Sequence, residues 1–425
     1  MRDLPGFYFD PARNRYFPLA SRPPPTSTNT TAPEDAPTRQ RPIYDARMST
    51  SAAARARAKG ALLHARLAHT GQDARNQDRW PAPAGARVCA FATTEWLGSH
   101  DGEGDEAGPR QWIGDARGWV YSRALRPSHD ECGWDDEYGS RWADWTPELC
   151  LHPDSEVTSL LATPTRLVGV CFGPATKIGV QDAGAPGRTA LLSLTSVRDV
   201  RAASLQGGAL VLGAARAAIL LPDLDAAAAR VRTLATGSDV FAVAQCETLI
   251  YAGTRAGAAL RFDTRVRATA KPHSICDSAQ NQNGRSTAAF VRPTRGGREL
   301  VVGFTDGRLG SYDLRFVRPA APPIVVYGGH VGGVGERLGT TLDPDERFLF
   351  AAGADRRLRA WALGSGAPVV PSPPSSSPSS HASTTEHQGG PFAARFPAPL
   401  AALHVTADAL WAGGGGAVWR WRMGV

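Results

Sequence analysis

Short β-type runs, punctuated by Gly, Asp and Pro, recur from about residue 86 at intervals of roughly 35–50 residues, the period of propeller blades. One such unit cannot bury its apolar faces alone, so this period commits the chain to packing its repeats against one another. Seven units can be read, at 87–123, 157–182, 202–223, 240–265, 287–315, 328–363 and 400–423. The pattern predicts an all-β, seven-bladed propeller whose closed ring leaves no sheet edge free for unwanted pairing. An N-terminal strand is expected to complete the last blade.

Composition narrows the alternatives. With 425 residues, 42% of them hydrophobic, the chain can bury a large core. No run reaches the ~18 apolar residues of a membrane-spanning helix. The opening MRDLPGFYFD has no apolar core of a secretory signal, so a nuclear or cytoplasmic location is expected, not secretion. The six cysteines are scattered without a C-x-x-C pair, which argues against a disulfide framework or a zinc ribbon. The net charge of +7 is concentrated: residues 1–70 carry +6 and the rest only +1. A basic tail on a near-neutral body is not a duplex-wrapping domain, and nucleic acid is not an expected partner of the propeller.

The chain divides accordingly. Residues 1–19 form an aromatic motif. Phe7-Tyr8-Phe9 and Arg15-Tyr16-Phe17 flank Asp10-Pro11-Ala12-Arg13-Asn14, the residue types of a hairpin or compact turn. Residues 20–47 are rich in Pro, Ser and Thr and read as a linker without fixed structure. Residues 48–70 are rich in helix formers and predict one helix carrying Leu62, Leu63 and Leu67. The propeller is assigned to 80–425, with a low-complexity insert at 371–390 that loops out between units six and seven. Acidic stretches at 101–106 and 130–139 read as exposed loops.

Three units place an Asp six residues before an aromatic: Asp115 and Tyr121, Asp306 and Tyr312, Asp355 and Trp361. These units resemble WD40 blades, in which such an Asp occupies a tight strand-to-strand turn, and the resemblance implies that His330, upstream in unit six, hydrogen-bonds the turn Asp. The intervening strand has Ala351 and Ala352 where a serine would complete that network. Units four and seven have Ala256 and Gly415 in place of the turn Asp.

Signatures of catalysis are missing. The chain has no P-loop, no G-x-G-x-x-G opening a helix, no H-E-x-x-H and no G-x-S-x-G. His273 and Cys276 in PHSICD are spaced like a ligand pair, but no second pair is near, and a loop is the better reading. No catalytic residue, metal or cofactor is expected. An enzyme with an active site in the central channel would need converging carboxylates or histidines, and the strands offer no such set.

The informative constellation is a pair of aromatic-Asp-x-Arg boxes, Phe262-Asp263-Thr264-Arg265 and Tyr312-Asp313-Leu314-Arg315, set 50 residues apart on adjacent units. Each would put its Arg where a third strand meets the outer strand, so that two guanidiniums share one rim of the disk. A guanidinium is a planar fork suited to bidentate contact with carboxylates and carbonyls. One box alone can simply pin a strand corner; two in tandem favour docking.

These boxes resemble the Trp-Asp-x-Arg signature of WD40 substrate receptors of cullin-4 RING ubiquitin ligases. The chain is most similar to the branch of associated factor four, also called WD repeat protein twenty-one. LPGFYFDPARNRYF (4–17) is similar to that branch's N-terminal motif, and residues 237–373 follow its order with LIYAGTRAG, LRFDTR, GRLGSYDLR, YGGHV and ADRRLRAWAL. The boxes begin with Phe262 and Tyr312 where the family has Trp, which keeps an aromatic but loses the indole N–H. The resemblance implies a WD40-type propeller that docks on the triple-propeller adaptor, damaged-DNA-binding protein one. Phe262, Asp263, Arg265, Tyr312, Asp313 and Arg315 would form the adaptor-binding set. It also implies that the helix at 48–70 could insert between two propellers of the adaptor through Leu62, Leu63 and Leu67. Cullin-4 would then be an indirect partner and an unidentified protein the target. The alternative is a WD40 scaffold outside any ligase, for instance in RNA processing, with the basic arm on phosphates.

Overall fold

A computed structural model describes residues 7–10, 15–18, 77–83, 85–94, 110–124, 145–182, 187–225, 231–267, 270–277, 286–317, 321–369 and 391–423. The linker at 20–47, the helix at 48–70 with Leu62, Leu63 and Leu67, the acidic stretches and the insert at 371–390 lie outside the described residues. The chain falls into two units, Met1–Ala56 and Arg57–Val425. In the first, Phe7–Asp10 pairs antiparallel with Arg15–Pro18, with Asp10 opposite Arg15. This is the hairpin expected of two aromatic runs around Asp10-Pro11.

The second unit is a ring of seven antiparallel sheets, and each of the seven sequence units supplies one blade. Blade one holds Val88–Thr93, Arg110–Asp115, Trp119–Ala124 and Thr146–Cys150, from the channel outward. Blades two to five start with the inner strands Val157–Ala162, Ala202–Gln206, Val240–Cys246 and Ala288–Pro293. Blade six has three strands among the described residues, Thr340–Leu342, Phe348–Ala352 and Leu358–Ala362, with a single bridge from Trp361 to Pro368 outside them. Blade seven contributes Ala402–Val405, Ala409–Gly414 and Ala417–Arg422, and its outer strand is Gln77–Pro81. The N-terminal strand therefore closes the ring, Pro81 opposite Ala417 and Gln77 opposite Trp421. Trp80 of that strand stacks on Trp411 at 5.7 Å, and the Arg123 guanidinium of blade one lies 4.1 Å from the Trp80 ring.

The core lies between blades. Tyr251, Ile275 and Cys276 of blade four pack with Ala288, Val291, Leu300 and Val302 of blade five. Blades approach so closely that some second-strand positions exclude a side chain. A Cβ on Gly253 would sit 2.5 Å from the Ala288 carbonyl oxygen, and one on Gly413 would sit 2.8 Å from Val88, across the ring closure. Inner strands bulge near their first residues, as at Val240/Ala242 and Ala288/Phe290, which adds local bend where the sheets meet the channel.

The turn aspartates occupy the rim where second strands end. Asp115 accepts hydrogen bonds from the backbone N–H groups of Arg117 and Trp119 at 2.9 and 2.8 Å. Asp306 accepts from the Arg308 backbone N–H and side-chain Nε. Blade six departs from expectation. Asp355 is taken by the Arg359 fork, at 2.9 and 2.6 Å, and His330 turns its Nε2 to the Ala352 carbonyl oxygen at 3.1 Å. The His330 ring meets the edge of buried Trp361, whose indole N–H donates to the Gly328 carbonyl. With alanines at 351 and 352 no hydroxyl relays between imidazole and indole, and each group settles on backbone instead.

Candidate docking site on the rim of blades four and five

Both boxes end a third strand. In blade four Ala258–Asp263 runs beside Leu249–Thr254, with Asp263 opposite Leu249; in blade five Leu309–Asp313 runs beside Glu299–Phe304, with Asp313 opposite Glu299. Strand direction alternates within every blade, so both third strands finish on the same rim, opposite the turn aspartates. Arg265 and Arg315 follow at once, and their side chains are 71% and 59% exposed.

Each guanidinium is held by its own box carboxylate. Arg265 donates its backbone N–H and Nε to Asp263 Oδ1, at 3.0 and 2.9 Å, and its Nη2 to Oδ2 at 2.6 Å. Arg315 repeats the pattern on Asp313 with backbone N–H, Nε and Nη2 at 2.8, 3.0 and 2.8 Å. The Arg265 hydrogen bond draws the Asp263 carboxyl down to about 2, and the Arg315 hydrogen bond lowers Asp313 likewise. The aspartates therefore stay ionised and aim the forks. A guanidinium has five N–H donors, so each fork keeps donors for a partner.

The box aromatics face inward. Phe262 is buried between blades three and four, with Val243, Ile250 and Leu260. Tyr312 and Leu314 pack into the core shared by blades four and five. Burial raises the Tyr312 hydroxyl, and it pushes the neighbouring Cys276 thiol up to about 11, so both stay neutral. The PHSICD segment is an outer strand, His273–Asp277, not the loop expected. Cys276 is buried and His273 exposed, and among the described residues no group of His, Cys, Asp or Glu is arranged to hold a metal.

Three residues at this rim were not anticipated from the sequence: Arg232, Val266 and Phe316. Arg232, on the outer strand of blade three, donates Nη1 to the Thr264 carbonyl at 2.7 Å and Nη2 to the Val266 carbonyl at 2.8 Å. It clamps the turn that carries Arg265 from the neighbouring blade. The residue after each box arginine is apolar and exposed, Val266 at 48% and Phe316 at 74%; this regularity is visible in the sequence. The Arg315 guanidinium lies 5.9 Å from the Phe316 ring.

The comparisons agree with this architecture. No protein-family model matches the chain. A stretch of 122 residues, 28% of the chain, is 34% identical to an uncharacterized WD repeat-containing protein of Caenorhabditis elegans. The match spans 20% of that relative's length. The chain is a seven-bladed β-propeller.

Among solved structures, the extracellular domain of a B. thetaiotaomicron hybrid two-component-system protein has a TM-score of 0.52 at 15% identity, over 81% of this chain and 39% of that one. A computationally designed protein, Ika8, has a TM-score of 0.47 at 14% identity, over 79% of this chain and 96% of its own. These likenesses concern the fold alone. The box rim is where this propeller presents two oriented cations.

Proposed function

We propose that this WD40 propeller is a substrate receptor of a cullin-4 RING ubiquitin ligase. It docks on the triple-propeller adaptor, damaged-DNA-binding protein one, through Arg265 and Arg315. What supports the reading is the pair of exposed forks on neighbouring blades, each aimed by its own Asp onto one rim. Phe262 and Tyr312 keep the aromatic of the box and place it in the core, so the boxes act as rigid corners from which the arginines project. The receptor supplies no catalytic group. Its contribution is proximity, holding a target on its remaining surface and raising its effective concentration near the charged conjugating enzyme.

Pull-down of the purified adaptor tests this. Wild type binds. Arg265→Ala with Arg315→Ala loses roughly 100-fold or more, since an interfacial Arg hot spot contributes about 2 kcal/mol or more. The melting curve of the double variant should match wild type because both side chains are exposed. Undiminished adaptor binding by that folded variant would refute the docking role.

A further inference from the structure

The rim around the two boxes is not uniform. Beside Arg265 lies an open depression of about 440 Å³ between the outer strand of blade three and the last three strands of blade four. Its charged lining is Arg261, Arg265, Arg267 and Lys271, set against the single carboxylate of Asp263, with the His273 imidazole beside them. That carboxylate is committed to Arg265, so the depression has a cationic wall. Leu234, Leu249, Val266, Ala270 and buried Phe262 form the apolar part of its lining. Arg267 and Lys271 are exposed. One blade further on, the residue beside Arg315 is apolar: the Phe316 ring lies 5.9 Å from its guanidinium and is 74% exposed.

We infer that this rim recognises a protein segment in which an acidic stretch is followed by a large apolar side chain. The carboxylates enter the blade-four depression and the apolar group lands on Phe316. The inference names the chemistry of the partner surface and rests on the docking reading only for the location of the interface. Carboxylates are favoured because a guanidinium fork matches a carboxylate bidentately and an exposed aromatic, Phe316, stands beside Arg315 on the next blade. Guanidinium forks at an open rim suit bidentate carboxylate contact, and an exposed aromatic beside an arginine is the composition of an interface anchor.

The test uses the full chain and a short fluorescent peptide of Asp and Glu with one leucine, followed by anisotropy at low ionic strength. Binding is expected, and it should weaken with added salt as surface charges are screened. Arg267→Glu with Lys271→Glu should weaken it by about tenfold or more, each tenfold being about 1.4 kcal/mol. The matched reversal Arg188→Glu with Arg198→Glu, on exposed positions of blade two, should leave it unchanged. Phe316→Ser should weaken the leucine peptide by roughly threefold and leave a serine-substituted peptide alone. Equal losses from both charge reversals, or tighter binding of a uridine oligonucleotide than of the peptide at the same site, would overturn the inference. The adaptor pull-down separates the two ideas. If wild type ignores the adaptor while the peptide results hold, the ligase reading falls and the acidic-apolar site stands. If the adaptor binds through Arg265 and Arg315 but the peptide is indifferent to Arg267 and Lys271, the site falls and the docking stands.

Discussion

Blades four and five carry the same box with the same internal geometry, yet present different surfaces. In each, a box Asp grips its Arg through backbone N–H, Nε and Nη2. Around Arg265 the neighbours include the cations Arg267 and Lys271; beside Arg315 stands the exposed ring of Phe316. The turns are also braced differently. Arg232 of blade three holds two carbonyls of the blade-four turn, whereas among the described residues no side chain donates to the Leu314–Phe316 carbonyls. A four-residue motif thus sets where a fork points, and residues outside the motif decide what it faces.

The comparison depends first on the spacing of the two blades. Gly253→Val would drive a side chain into the Ala288 carbonyl, 2.5 Å from the Cβ position, and backbone cannot move aside as a side chain can. A loss of about 3 kcal/mol is expected, read as a lower thermal midpoint, because overpacking a close-packed interface costs this order. An unchanged midpoint would mean the inter-blade contact has slack.

Next comes the asymmetric brace. Arg232→Met should cost about 1 kcal/mol of stability, since it removes two hydrogen bonds at a partly exposed edge. Adaptor affinity should fall several-fold through the looser Arg265 turn, while the factor lost on Arg315→Ala stays the same in both backgrounds, as independent sites add. A changed Arg315 factor would show that the two boxes are coupled.

Smaller still is the loss of a box carboxylate. Asp263→Asn and Asp313→Asn each release a fork, and about a twofold loss in adaptor affinity is expected, since exposed pairs contribute little. The Asp313 variant should lose more, because its turn lacks the second brace. Equal losses would assign Arg232 a purely structural part.

The smallest effect is acid sensitivity. Asp263 has its folded value lowered to about 2 from an unfolded value of about 3.9, and Asp313 is lowered in the same direction. Their contribution is therefore complete above the unfolded value and is lost as pH falls through the folded one. Adaptor binding measured between pH 5 and 8 should not vary through the boxes. Variation in that window that Asp263→Asn abolishes would contradict the paired geometry.

Much of the ring was legible because its causes are local. Alternating apolar residues and turn-forming Gly and Asp mark each strand within a few positions, so all seven units and the box positions could be read along the chain; an N-terminal closing strand was expected, but its place at Gln77–Pro81 came from the fold. PHSICD was misread because an outer strand is only half-covered: His273 is exposed while Ile275 and Cys276 are buried, which blurs alternation. His330 was assigned to Asp355, but Arg359, on the next strand, takes that carboxylate.

By itself the sequence determined the repeat, its number, and which strand ends carry an arginine after an aromatic and an Asp. Only the tertiary structure decided that Arg232 reaches into the next blade, that Arg267, Lys271 and His273 gather around Arg265, and that Phe316 stays uncovered. Strand formation follows from neighbours along the chain. The surroundings of a rim depend on which blades lie side by side and how far they stand apart, and that is fixed only when the ring closes.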